Sequence, residues 1–409
     1  MSKTQIITQK VVLYPMGNKD EVSRVYTYIR DGMYNQNKAY NILISSVYSA
    51  IYTGKSKEEI TELYRLGSRI PTSKKGSLYD PEQIKFPKGL ATSAAVGQQV
   101  RNDLAIASSR GLFKGNVSLN NRKLRDPLII PKQQFSFWHD CVDNDDFIEK
   151  IEKGDTPDVY MKFVNGIQFK VVFGNPKRSR NLALLFKNLF ANKYEKCGSS
   201  LQFDKTGKKI ILNLSVKVPV KSIDLDDTVV VGVRFANDEP IVCSTNQKDS
   251  KPEYIGNAQV LVDEKTKIQS MRRRCQARMR YTSGGHGRDK KMHQYKFIKE
   301  KERNFAKTYN HVLSHRIVEY AKKQGAKYIN IEDMSALYHK DEFVLKNHNY
   351  YQLYTFISYK ASMYGIEMRL VDRIPNCEMA EDKSDDDYAK IVANITEVRK
   401  FTKSSKDNS

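Results

Sequence analysis

Apolar positions along the chain fall into three regimes. Residues 5–14 are dominated by β-branched and aliphatic side chains (Ile6, Ile7, Val11, Val12, Leu13) and predict one short strand. From about residue 21 the period becomes helical. Val22, Val25, Tyr26, Ile29, Met33, Tyr40, Leu43, Val47 and Ile51 recur at three, four and seven until Gly54 stops the run. Helical spacing returns over 57–66 and 90–112, with a Pro-, Ser-, Lys- and Gly-rich loop over 71–87 between them. Residues 117–220 read mainly as strands: 128–130, 134–138, 159–164, 167–172, 200–203 and 209–218. The last two form a hairpin turning at Gly207, and one helix is predicted over 179–194. Beyond about residue 227 the order is strand (228–235), strand (240–244), strand (254–262), helix (296–323), strand (326–331), helix (351–364), strand (366–371) and a short helix ending near 395.

Composition narrows what these elements serve. With 409 residues the chain should form roughly two or three domains. An aromatic fraction of 10% supplies ample core material and argues against disorder. No apolar run approaches the roughly 18–20 residues of a membrane span, and the first residues lack the apolar stretch of a signal peptide. Five scattered cysteines (Cys141, Cys197, Cys243, Cys275, Cys377) form neither a disulfide framework nor a Cys-x-x-Cys pair. The expectation is a reduced, cytoplasmic protein without structural zinc. Lys and Arg number 69 against 47 Asp and Glu, a net charge of +22, which points to a polyanionic partner and says nothing of fold.

The last regime, three strands, helix, strand, helix, strand, helix, is the element order of an RNase H-like fold. Nucleases of that fold hold two divalent ions on converging carboxylates at neighbouring strand ends. Four segments carry a resemblance: Gly232-Val233-Arg234-Phe235-Ala236, Gly284-Gly285-His286-Gly287-Arg288-Asp289-Lys290, Ile331-Glu332-Asp333-Met334-Ser335, and Tyr359-Lys360-Ala361 with Tyr364-Gly365-Ile366. They resemble the RuvC domain of TnpB proteins and of the compact type V-F CRISPR effectors, densely over about residues 228–371. Over the whole chain the resemblance is an order of elements, and it implies an α+β multidomain architecture. A wedge β-barrel (first strand in 1–18, remainder in 116–226) would enclose a helical recognition domain (19–115). A RuvC-like domain (227–398) and a polar tail (399–409) would follow.

Departures from the family pattern matter as much. Where active members carry the first metal-binding Asp, this chain has Arg234, a permanent cation that cannot ligate Mg²⁺. The alternative puts the acid at Asp238, but Gly232, Val233, Pro240 and Val242 keep the register in favour of Arg234. The second acid is retained as Glu332, expected to pair with Arg234. The third falls at Asp387, followed by Tyr388, although it also ends a run over 378–387 with six acids and one Lys. The family's four-cysteine zinc ribbon is absent, leaving only 373–386 with Cys377. The resemblance therefore implies a degenerate nuclease site, with no catalytic residue, no zinc and no Mg²⁺ expected.

Residues 271–308 hold 13 Lys or Arg against three acids. Arg272, Arg273, Arg274, Arg278, Arg280, Arg288, Lys290 and Lys291 are expected to contact phosphates, which position nucleic acid without reading its sequence. In the helical domain Tyr34, Asn35, Gln36, Asn37 and Lys38, and Gln98, Gln99 and Asn102, offer groups for base edges. Tyr34, Asn37, Lys38, Gln98 and Asn102, with Lys74, Lys75 and Tyr79 of the loop, are the target-adjacent-motif candidates. The implied activity is RNA-guided DNA binding without cleavage, used to control transcription. It would occlude a promoter or recruit a sigma factor and RNA polymerase. Guide RNA and double-stranded DNA are the implied partners, with a second copy of the chain as a further one. An active RNA-guided nuclease, or an RNA-binding protein without DNA targeting, are the alternatives.

Overall fold

In the computed structural model, which describes residues 4–87, 92–109, 111–174, 176–204, 206–220, 223–236, 239–280, 286–334, 348–373 and 383–400, the chain divides into two units, Met1–Pro219 and Val220–Ser409. The first unit is built on an antiparallel sheet of β1 (Thr4–Pro15), β2 (Leu128–Ile130), β3 (Phe135–His139), β4 (Val159–Phe163), β5 (Gln168–Val172), β6 (Glu195–Lys196), β7 (Ser199–Phe203) and β8 (Ile210–Pro219). Their order is β2-β7-β8-β1-β5-β4-β3, with β6 beside β8. β1 lies centrally, paired with β8 over ten residues and with β5 on its other side. Strict alternation decides its facing: Val11 and Leu13 are buried while Lys10 and Tyr14 are exposed.

The α-helices of this unit among the described residues are α1 (Lys19–Tyr52), α2 (Lys57–Gly67), α3 (Thr92–Ser109), α4 (Asn144–Lys153) and α5 (Pro176–Phe190). The first three are inserted between β1 and β2. Asn18 caps α1 in a capping box with Glu21, satisfying N–H groups that the helix start leaves open. Its apolar stripe continues into a separate core with Tyr40, Leu43, Val47, Val96, Val100 and Leu104. Phe147 of α4, with Leu182 and Phe186 of α5, joins the core on the sheet's inner face. Helix α4 was not anticipated: it carries only two buried apolar side chains, Phe147 and Ile151, too few for a periodic signal.

The second unit has β9 (Asp226–Arg234), β10 (Ile241–Thr245), β11 (Glu253–Ile255), β12 (Ala326–Asp333), β13 (Glu367–Asp372) and β14 (Val398–Lys400), in the order β11-β10-β9-β12-β13-β14. β9, β12 and β13 run parallel, and the flanking pairings are antiparallel. Its helices are α6 (Ala258–Arg280), α7 (His286–Lys323), α8 (Tyr350–Ser362) and α9 (Asp385–Asn394). Leu313 and Ile317 of α7 with Leu353 and Ile357 of α8 cover one sheet face. Helix α9 packs on β9, with Ala389 against Ala236 and Val242. Central strands covered on both faces read as continuous apolar runs, and β10 is buried throughout.

Three sequence expectations change here. Residues 254–262 are not one strand: Gly256, at φ +105°, turns the chain after β11, and α6 begins at Ala258. The buried positions Leu261, Ile268 and Cys275 recur every seven residues, but the charge density around them hides the pattern. Helix α7 begins ten residues before the expected start at 296. The expected polar tail opens on strand, because Arg399 and Lys400 pair with β13; residues 401–409 lie outside the described residues. Among the described residues no helix is long and apolar enough to cross a membrane.

Gly232 sets the distance between α9 and the sheet. A Cβ there would lie 2.0 Å from Ala389 O and 2.5 Å from Ala393 N, both helix backbone. Nearby, Asn330 Nδ2 of β12 donates toward the carbonyls of Val392, Ala393 and Ile395, which the helix end leaves open. Gly232→Ala is expected to push α9 off the sheet and cost at least about 1–3 kcal/mol, the range for overpacking. Urea unfolding of the second unit measures this, and an unchanged midpoint would refute the close approach.

Candidate functional site

The ends of two parallel strands and the start of one helix converge on a single buried cation. β9 ends at Arg234, which is 1% exposed, and the neighbouring β12 carries Glu332, which is fully buried. Arg234 Nη1 donates to Glu332 Oε1 at 2.7 Å, and Arg234 Nε donates to Asp385 Oδ1 at 2.9 Å. Glu332 Oε2 accepts the backbone N–H of Phe235 at 2.9 Å. The guanidinium lies 4.8 Å from the centre of the Tyr388 ring. Tyr354 of α8 locks the strand end: its hydroxyl donates to Glu332 O at 2.7 Å and accepts Met334 N–H at 3.0 Å.

Local sequence explains why Asp385 is the acid that arrives. Ser384 is the helix N-cap, and Asp387 closes a capping box with it, accepting from Ser384 N at 3.0 Å and Ser384 Oγ at 2.8 Å. Asp385, Tyr388 and Ala389 are spaced i, i+3, i+4 and share the face turned to the sheet. Asp386 accepts from the Tyr254 hydroxyl at 2.7 Å. Asp387, the third acid position by resemblance, does not meet Arg234 and Glu332: Asp385 meets Arg234, and Asp387 serves as a cap. Arg234 and Glu332 meet as expected, and Asp238 lies outside the described residues.

Burial pushes the Glu332 carboxyl above the usual glutamate range, while the Arg234 charge and the Phe235 N–H pull it back. Cap hydrogen bonds from Ser384 hold Asp387 below its ordinary value. A divalent ion of the kind the family uses needs several converging oxygens. Here guanidinium nitrogens occupy one oxygen of Glu332 and one of Asp385, and the guanidinium cannot be deprotonated. The donor set does not fit a divalent cation. Among the described residues no group of three or more His, Cys, Asp or Glu is placed to hold a metal ion.

The expected nucleic-acid contacts divide by burial. On α6, Arg273, Arg274 and Arg278 are exposed, while Arg272 pairs with Glu302 of α7. The α6–α7 hairpin is closed by Ile268, Cys275 and Ile298. The side chains of Arg280, Arg288, Lys290 and Lys291, and residues 281–285, lie outside what is described. In the first unit Tyr34, Lys74, Lys75, Gln98 and Asn102 are exposed; Gln98 Nε2 donates to Asn102 Oδ1 at 3.0 Å. Lys38 Nζ reaches Gln83 O at 3.4 Å.

Asn37 and Tyr79 are corrected. Asn37 is fully buried and donates to Asp126 O at 2.8 Å, while Tyr79 is 3% exposed with its hydroxyl on Gly67 O at 2.7 Å. Gln36 likewise exchanges two hydrogen bonds with Ile129, and Asn41 two with Arg122. These amides hold segment 122–129 to α1 and are not available to bases. A polar cavity of about 460 Å³, lined by Thr8, Gln99, Arg122, Ser200, Asn213 and Ser215 among others, was missed. Strand register brings Thr8 of β1, Ser200 of β7, and Asn213 and Ser215 of β8 together, and Gln99 reaches them from α3.

No protein-family model matches the chain. In sequence it is similar to the CRISPR-associated endodeoxyribonuclease Cas12f1 of Sulfoacidibacillus thermotolerans, 23% identical over 269 residues, 65% of this chain and 62% of that protein. The Cas12f1 of Syntrophomonas palmitatica is 42% identical over 83 residues, 20% of this chain and 17% of that protein. The chain thus spans less than two thirds of the length of either curated relative. Its fold is that of a chain in a cryo-EM structure of a Cas12f1–sgRNA–target DNA complex, with TM-score 0.71, 13% identity, and coverage of 97% of this chain and 100% of that one.

Removing one partner of a buried ion pair strands the other charge. Arg234→Ala is expected to cost about 3–5 kcal/mol, whereas Asp385→Asn, whose partner oxygen sits on a side chain 41% exposed, costs under about 1 kcal/mol. Arg234→Met combined with Glu332→Gln keeps an acceptor for Phe235 N–H and should recover most of the loss. Denaturant midpoints of the three variants decide this, and equal losses for Arg234→Ala and Asp385→Asn would contradict the assignment.

Proposed function

We propose that this chain is an RNA-guided DNA-binding protein without nuclease activity, acting as a transcriptional regulator at guide-matched promoter DNA beside a short target-adjacent motif. The observation that carries the reading is the Arg234–Glu332–Asp385 cluster, in which a permanent cation stands at the strand end where RuvC-type nucleases carry a metal-binding Asp. The similarity to Cas12f1 in sequence and fold supports guide RNA and target DNA as ligands. The net charge of +22 supports a polyanion.

On this reading the second unit is a RuvC-like domain kept for holding nucleic acid. Sequence choice is delegated to base pairing between guide and target strand, while the protein reads duplex shape and a short flanking motif. Exposed Arg273, Arg274 and Arg278 contribute phosphate contacts, which raise affinity without selecting sequence. Tyr34, Lys74, Lys75, Gln98 and Asn102 are the exposed candidates for the flanking motif. Bound without cutting, the complex controls a promoter by occluding it or by bringing a sigma factor and RNA polymerase to it. A second copy of the chain on the same RNA belongs to this reading.

The test isolates the protein with its RNA, sequences that RNA, and identifies copurifying proteins by mass spectrometry. A defined scaffold with a guide matching a promoter region is expected, along with a gel shift on matched but not scrambled duplex. A copurifying sigma factor selects recruitment over occlusion. Robust Mg²⁺-dependent cleavage of matched DNA, or random cellular RNA in place of a guide, would sink the proposal.

A further inference from the structure

An aromatic row crosses the outer face of the sheet in the first unit. Strand register sets Trp138 of β3 opposite Tyr160 of β4, Tyr160 opposite Lys170 of β5, and Lys170 opposite Tyr14 of β1. Residues alternating with them, Met161, Phe169, Val171 and Leu13, belong to the inner core, so the row faces the other way. Trp138 is 37% and Tyr14 60% exposed. The Trp138 and Tyr160 rings stack in parallel, 4.2 Å apart at 17°. Among the described residues β3 is the sheet's edge strand, with no further strand beyond Trp138.

The core has no need of these rings, since its apolar residues complete it on the opposite face. Charges of both signs stand around them: Lys162, exposed, is in the adjacent row opposite Ser136 and Gln168, Lys170 lies within the row, paired with Asp158, and Asp140 and Asp158 lie near Tyr160. Residues 1–219 carry 35 Lys and Arg against 20 Asp and Glu. Partly exposed flat rings beside lysines on a sheet match the way unpaired bases are held. Every base offers a π-face, and the phosphates beside it meet the cations. Duplex DNA, with its bases already stacked, has no free face to offer.

We propose that Trp138, Tyr160 and Tyr14 form a stacking platform for unpaired bases of a single-stranded nucleic acid, with Lys162 and Lys170 beside its backbone. The site rests on the geometry of the sheet and not on the guide-dependent reading above. Because Trp138 is the only tryptophan of the 409 residues, its fluorescence reports the site directly.

The full chain, washed free of copurifying nucleic acid, is titrated with an unstructured oligothymidylate of about 12 nucleotides and with a duplex of equal length. The single strand is expected to quench the tryptophan in a saturable manner and the duplex is not. By anisotropy of the labelled oligonucleotide, Trp138→Ala and Tyr160→Ala should weaken binding about 5- to 100-fold, with Trp138→Tyr retaining most of it. Lys162→Gln should lower the salt dependence of binding. Absence of quenching at an oligonucleotide concentration that saturates anisotropy would overturn the proposal. Equal quenching by duplex, or unchanged affinity in a folded Trp138→Ala variant, would do the same. Quenching of the unsubstituted protein tests the site whether or not any variant folds.

Discussion

A guanidinium sealed inside the second unit cannot give up its charge, and the parts around it are arranged to compensate. Transferring an ion from water to a protein interior costs several kcal/mol, which only good geometry and further hydrogen bonds offset. Arg234 has both: a buried carboxylate at 2.7 Å, a second carboxylate at 2.9 Å and an aromatic face. Glu332 is in turn held by Phe235 N–H. β9, β12 and α9 are thereby drawn to one point. Gly232 admits the helix backbone against the strand, and Asn330 ties down the helix's far end.

The same cluster governs what chemistry is available. A carboxylate that accepts from a guanidinium has that oxygen committed, so the two acids nearest the strand ends serve the ion cluster. Arg273, Arg274 and Arg278 on α6 stay exposed. Binding of polyanions and hydrolysis of them depend on different residues, and a change at one strand end can remove the second while leaving the first.

In the first unit polar side chains play two opposed parts. Gln36, Asn37 and Asn41 look like base-reading groups in sequence but satisfy backbone groups of segment 122–129. A buried backbone N–H or carbonyl needs a partner, and this irregular segment finds some of its own in amides of α1. On the sheet's outer face the alternation of strands exposes hydroxyls, lysines and aromatic rings, where they are open to ligands.

Read alone, the sequence determined most of the secondary structure, the succession of elements along the second unit and the identity of the residue at the end of β9, because periodicity and residue chemistry are local properties. The pairing of Arg234 with Glu332 was also legible, through the resemblance to RuvC domains, which implies neighbouring strand ends for the two positions. Helix α4, helix α6 and strand β14 were not. Two apolar residues, a charge-masked seven-residue repeat and three residues of edge strand acquire structure only from the surfaces they dock on. Among Asp385, Asp386 and Asp387 the sequence offered three chemically equal acids. Tertiary structure chose Asp385, because the cap at Ser384 consumed Asp387 and Tyr254 took Asp386, leaving one carboxylate on the face turned to Arg234.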